Sequence, residues 1–347
     1  MKYFKFFSRQ NILGLTNIRK FETKLGEVLP APEDREGFEK YLSNSEIKYV
    51  LFGIPEDIGV KANLGKGGAD SSWRPFLSSF LNLQSNDYFR GNTVLIAGYF
   101  DFAELKLIID KNAPGFEEKL DALRHAVNTI DDEVESITKI ITEAGKIPIA
   151  IGGGHNNSYP LIKGAAKGLY KAEKISLAQI NCVNFDAHTD YRPVEGRHSG
   201  NGFRYAEEDG YLKNYFSLGL QENYIQQNIL LDIVNNPFID CISYEDIFIR
   251  KNFSFQNALL KAYEFTSEGY SGIELDLDVI ENTLSSAISP SGVQTLHARQ
   301  FMHFFSAHPR PAYLHIAEGA SFLEDGQQQS TIGKLTALLV GDFIKEE

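Results

Sequence analysis

Short, mostly apolar runs recur through this chain, and they restrict its fold more than any other feature. Residues 49–55, 93–98, 147–151, 178–185, 216–220, 239–243, 272–277 and 312–316 each read as a strand. Runs that are apolar on both faces belong to a parallel sheet covered by helices on either side. Amphipathic stretches fall between them. In the clearest, Phe116, Leu120, Leu123, Val127, Ile130, Val134, Ile137 and Ile141 recur every three or four residues, up to a glycine stop at Gly145. Further helices are expected over 257–265, 298–305 and 332–344. The expected fold is α/β, three layers with a mostly parallel central sheet. No Pro/Gly/Ser-rich linker divides the 347 residues, so residues 46–347 are expected to form one domain. Residues 1–45 show no βα rhythm and read as an N-terminal extension packed on the core, anchored by Phe4, Phe6 and Phe7. Trp73 and Phe76 read as core.

Composition narrows the function. The 34 Lys and Arg against 46 Asp and Glu give a net charge of −12, with no basic face for a nucleic acid. Cys182 and Cys241 have no metal-ligand spacing and read as buried free thiols in a reducing compartment. The first seven residues lack the long apolar stretch and cleavage site of a targeting segment. No run of about 18 apolar residues could span a membrane. A soluble, cytoplasmic protein is expected.

In open parallel sheets, chemistry collects at the carboxyl ends of the strands, and three ends here are unusual. Phe185-Asp186-Ala187-His188-Thr189-Asp190 follows a buried strand, and an extended chain would put 186, 188 and 190 on one face. In Glu274-Leu275-Asp276-Leu277-Asp278-Val279 carboxylates alternate with apolar residues, so Glu274, Asp276 and Asp278 would share a face. Gly152-Gly153-Gly154-His155 permits a sharp turn but lacks the Lys-Ser/Thr of a phosphate loop. Crowded carboxylates and imidazoles repel and desolvate one another unless a cation neutralises them. His155, Asp186, His188, Asp190, Asp276 and Asp278 are oxygen and imidazole donors without a thiolate, a set that suits a divalent ion such as Mn²⁺. Four aspartates would be balanced by two such ions, which at roughly 3.5–4 Å apart could activate a bridging hydroxide.

Gly-Gly-X-His, Asp-Ala-His-X-Asp and X-X-Asp-X-Asp, in this order, resemble the ureohydrolase superfamily of arginases, agmatinases and formiminoglutamases. Gly53-Ile54-Pro55-Glu56-Asp57-Ile58-Gly59-Val60 and Ile316-Ala317-Glu318 extend the resemblance over residues 46–345. It implies an arginase-like fold and a cofactor of two Mn²⁺. His155, Asp186, Asp190 and Asp276 would hold one ion, and Asp186, His188, Asp276 and Asp278 the other, with Asp186 and Asp276 bridging. A metal-bridging hydroxide would attack the amidine-type carbon, and Glu318 would accept hydrogen bonds from the substrate nitrogens. Family members commonly form trimers or hexamers, which implies a homo-oligomer.

Gly154, where arginases and agmatinases carry aspartate, is similar to the formiminoglutamase form, as is Asp190-Tyr191-Arg192-Pro193. Arg192 can grip a carboxylate bidentately. The loop Arg197-His198-Ser199-Gly200-Asn201 continues the likeness and makes Ser199 and Asn201 substrate-facing candidates. Arginases and agmatinases place a proton-shuttling histidine immediately before the equivalent of Gly200; here Ser199 stands there, with His198 one residue earlier. Glu318 is followed by Gly319-Ala320-Ser321 instead of asparagine-proline. The resemblance implies hydrolysis of N-formimino-L-glutamate to glutamate and formamide. The alternatives are an arginase, agmatinase or other guanidino-acid hydrolase, and a catalytically silent metal-binding member of the fold. His125, His297, His303, His308 and His315 read as packed or solvated.

Overall fold

The computed structural model describes residues 1–112 and 115–344. Nine strands form one sheet: β1 Phe4–Phe6, β2 Tyr49–Gly53, β3 Val94–Phe100, β4 Ile147–Ile151, β5 Ile180–Phe185, β6 Leu212–Leu220, β7 Ile239–Ser243, β8 Ser271–Asp276 and β9 Pro311–Ala317. Their order across the sheet is β1-β3-β2-β4-β9-β8-β5-β6-β7. All neighbours run parallel except β1, which is antiparallel to β3.

Alternate strand residues feed two separate cores. Leu51, Ile96, Ile149, Val183 and Phe185 pack with helices Trp73–Leu81, Phe255–Thr266, Thr295–Ser306 and Ile332–Ile344. Val50, Phe52, Leu95, Ala150 and Cys182 pack on the other face, with helices Phe116–Glu143 and Ser158–Lys171. These two helices lie close together: a Cβ at Gly164 would come 2.7 Å from the Glu135 carbonyl oxygen. Cys182 is buried as expected, but Cys241, on edge strand β7, is only partly so, because no further strand among the described residues covers its outer side. No helix among the described residues is long and apolar enough to cross a membrane.

The first residues do more than lie on the core. Phe4, Lys5 and Phe6 pair with Phe100, Tyr99 and Gly98, and Phe4 and Phe7 are buried. A strand of three residues carries too little periodicity to be read from sequence. Its docking depends on Gly98, which has φ +153° and sits where the β2–β3 register shifts by one residue. A Cβ there would come 2.0 Å from the Lys5 carbonyl oxygen.

Gly98→Ala should therefore displace β1 and destabilise the protein by about 1–3 kcal/mol. Denaturant unfolding and the rate of limited proteolysis within residues 1–8 measure this. Unchanged stability and protection would show that β1 is not held through Gly98.

Candidate metal centre

The carboxyl ends of β4, β5, β8 and β9 meet beside one another, and the unusual segments emerge there. After β5 and β8 the chain turns by the same device, in place of the expected extended course. Asp186 Oδ1 accepts the His188 N–H at 2.7 Å, and Asp276 Oδ1 accepts the Asp278 N–H at 2.9 Å. Aspartate makes such local turns readily. Leu277–Val279 is accordingly a single 3₁₀ turn, yet Asp278 still reaches the same side as Asp276. Asp190 sits at φ +43°, a left-handed conformation that aspartate tolerates better than most residues.

These turns assemble two groups of donors, His155 with Asp186, Asp190 and Asp276, and Asp186 with His188 and Asp278. His155 Nδ1 lies 2.8 Å from Asp190 Oδ2, 3.1 Å from Asp276 Oδ2 and 3.2 Å from Asp186 Oδ2. His188 Nδ1 is 3.2 Å from Asp278 Oδ2 and 3.6 Å from Asp186 Oδ1. Asp186 thus turns one oxygen to each group. Asp276 directs Oδ2 to the first and gives Oδ1 to the Asp278 amide. Both His155 nitrogens and Asp278 Oδ1 are buried without a hydrogen-bond partner. Adjacent donors around a six-coordinate ion at about 2.1 Å stand about 3 Å apart, close to the spacing seen here. The donor set and its orphaned atoms fit divalent ions.

The electrostatics agree. Burial, reinforced by Asp278 and Asp186, lifts Asp276 well above the carboxylate range. Burial and Asp186 raise Asp190. Burial pushes Asp278 up to about 6, although His188 pulls the other way. For Asp186 burial is outweighed by His155 and His188, which hold it low. Both imidazoles resist burial and stay far above their ordinary range, His155 through Asp186, Asp190 and Asp276, and His188 through Asp278 and Asp186. A cluster whose burial and crowding hold protons on it is one from which cations displace them.

Glycines and a buried glutamate place His155. Gly152 and Gly153 take φ +85° and +78°, and a Cβ on Gly153 would come 2.7 Å from the Ile54 carbonyl oxygen. Glu56, fully buried, accepts from Gly154 N at 3.0 Å, Gly59 N at 3.1 Å and Asn157 Nδ2 at 2.7 Å. It ties the end of β2 to the turn after β4. Sequence reasoning gave Glu56 no role; its position just past a strand end was the available signal. The His155 N–H in turn donates to Glu318 Oε1 at 3.0 Å, and Ser286 Oγ donates to Oε2 at 3.0 Å. Glu318 is at φ +61°, and burial followed by Asp276 raises it to about 8.

A cavity of about 270 Å³ opens over these groups, lined by His188, Asp190, Asp276, Asp278 and Glu318. Arg192, Ser199, Asn63, Ser286 and Tyr224 line it too. Arg192 Nη1 donates to Asn63 Oδ1 at 3.0 Å and Nη2 to Glu195 Oε1 at 2.8 Å. Ser199 Oγ accepts from Asn63 Nδ2 at 3.2 Å. Asn201 and His198 are brought near but turned away from the cavity. Asn201 is buried, with Oδ1 2.8 Å from Arg197 Nη1 and Nδ2 donating to Gly196 O at 2.8 Å. His198 Nδ1 accepts from Gly200 N at 3.1 Å, and Nε2 lies 3.2 Å from Glu195 Oε1. Burial and then Arg192 push its imidazole down to about 4. Arg197 pins this loop. It pairs with buried Asp131 on helix Phe116–Glu143 at 2.8 Å, donates to Asn156 O at 2.8 Å, and lies 4.7 and 4.8 Å from the rings of Tyr159 and Tyr205. Nothing in the sequence linked Arg197 to Asp131, 66 residues apart.

A formimidoylglutamase of Streptococcus pyogenes serotype M3 is 23% identical over 254 residues, 72% of this chain and 68% of the relative. Trypanosoma cruzi formiminoglutamase with Mn²⁺ superposes with a TM-score of 0.68 at 19% identity, covering 93% of this chain and 98% of that one. Proclavaminate amidino hydrolase from Streptomyces clavuligerus gives 0.66 at 15% identity, covering 94% and 96%. The family model described as the arginase family matches residues 47–340. The chain belongs to the arginase family of hydrolases.

Proposed function

We propose that this protein hydrolyses N-formimino-L-glutamate to glutamate and formamide with two Mn²⁺ ions, as a cytoplasmic homo-oligomer. The observation that carries the reading is a guanidinium, Arg192, in the wall of a cavity whose floor is otherwise acidic. It pairs well with a substrate carboxylate and badly with an ammonium. Relatives named formimidoylglutamase support the same choice. His155, Asp186, Asp190 and Asp276 would hold one ion, and Asp186, His188, Asp276 and Asp278 the other. Bound there, the ions would balance the aspartates and make a coordinated water acidic.

The chain's own residues position the substrate. Glu318, held by the His155 amide and Ser286, accepts the amidine N–H groups. Arg192 exchanges its contact with Glu195 for the substrate's carboxylate. Ser199 faces the cavity and offers a hydroxyl near the scissile bond, while His198 acts through Glu195. Water adds to the formimino carbon, the C–N bond to glutamate breaks, and the departing nitrogen gains a proton.

Elemental analysis should find two divalent ions per chain. Asp186→Ala should lose both along with activity, and His155→Ala mainly one; two tightly held ions in Asp186→Ala would refute the bridging role.

The acidity of the cluster sets a pH dependence. Asp278 and Glu318 bind protons up to about 6 and about 8 in the fold, above the ordinary 3.8 and 4.5 of the unfolded chain. The folded state therefore binds more protons, and stability falls as pH rises through this window. Chelator-treated protein should lose a few degrees of melting temperature between pH 5 and 8, through Asp278 up to about 6 and through Glu318 up to about 8, and Mn²⁺ should remove most of that loss. A flat or rising profile without metal would contradict the cluster's electrostatics.

Arg192→Ala should raise KM for formiminoglutamate by the loss of a charge-assisted contact of about 1.5–3 kcal/mol, with metal content unchanged. Turnover of arginine or agmatine by the wild type, with formiminoglutamate inert, would overturn the substrate assignment.

A further inference from the structure

Behind the candidate metal centre lies a second layer of buried polar side chains that the reaction does not use. Glu274 and Asp276 share a face of β8, and Glu274 pairs in register with His315 of β9. All of these groups are buried. Tyr313 Oη donates to Glu274 Oε1 at 2.7 Å, and His315 Nδ1 lies 2.7 Å from Oε2. His315 Nε2 is 3.3 Å from the Gly152 carbonyl oxygen. The His315 ring is thereby fixed between two strands, and it fixes the Glu274 carboxylate. Oε2 of that carboxylate stands 3.4 Å from His155 Nε2, on the side of the ring away from the aspartates. The Phe203 ring meets His155 edge-on at 5.2 Å.

We infer that Glu274, oriented by Tyr313 and His315, is a positioning residue that holds His155 with its Nδ1 lone pair toward the candidate metal centre. A neutral imidazole has one N–H. A carboxylate oxygen 3.4 Å behind Nε2, short of a formed hydrogen bond, favours the hydrogen on that nitrogen and leaves Nδ1 free to ligate, and such outer partners govern the affinity of a metal-bound histidine. A buried carboxylate costs stability unless its partners satisfy it. Here two partners approach the sides of Glu274 and leave Oε2 beside His155.

The inference rests on the two-ion reading. Its test titrates the metal-free full-length protein with Mn²⁺ and follows free and bound ion by electron paramagnetic resonance, where a coupled pair and an isolated ion give different spectra. Glu274→Leu removes the acceptor and should weaken one of the two ions about 10–100-fold while the ion at His188 is held as before. Glu274→Gln keeps an acceptor oxygen and should give a smaller loss at the same ion; it also decides the matter if the leucine variant fails to fold. His315→Asn should reproduce the selective loss. Glu274 variants that bind both ions as tightly as wild type, or weaken both equally, overturn the inference alone. A wild-type protein that binds no ion overturns the two-ion reading and the inference with it.

Discussion

Carboxylates gathered at the carboxyl edge of a parallel sheet repel one another, and much of the surrounding structure serves to keep them together. Asp190, Asp276, Asp278 and Glu318 line one cavity, and Asp186 lies buried against the same cluster. Two of the strand ends use an aspartate both as a turn former and as a site donor, one oxygen bonding the backbone while the other points into the cluster. The turn and the charge are therefore one feature. The carboxylate that sets the backbone course cannot relax away from its neighbours without undoing the turn.

Around this edge, buried polar groups replace apolar packing as the source of definition. Glu56 bonds two glycine amides and an asparagine, and Arg197 joins a loop, a long helix and the backbone beside His155. Such pairs add little net stability over well-packed apolar residues, but losing one partner costs about 3–5 kcal/mol. They specify position. The same loop carries Arg192 and Ser199, so the cavity's cationic wall is located by an ion pair that never touches it.

Much of this was legible from sequence. The apolar runs gave the sheet, and the 3.6-residue period gave Phe116–Glu143 with its stop at Gly145. The six candidate ligands lie in two adjoining groups, with Asp186 in both and Asp276 in the first alone. What escaped depended on distance in the chain or on local geometry. An extended course after Phe185 was a fair reading of alternation, but the Asp186 side chain captures the amide of His188. Asn201 looked substrate-facing because of its neighbours, yet its amide is taken up by Arg197 and Gly196. His315 read as a packed strand histidine, and it is packed; only the pairing of β8 with β9 reveals that it leans on Glu274.

The shortest strand has a consequence for solubility. Without β1, the seven-residue β3 would be a sheet edge presenting a row of free amides and carbonyls that another chain could extend. Three residues of antiparallel chain cover that row and present in its place an edge too brief to template much growth. Detaching this small piece, even with the cavity untouched, would expose a surface on which molecules can stack by backbone pairing.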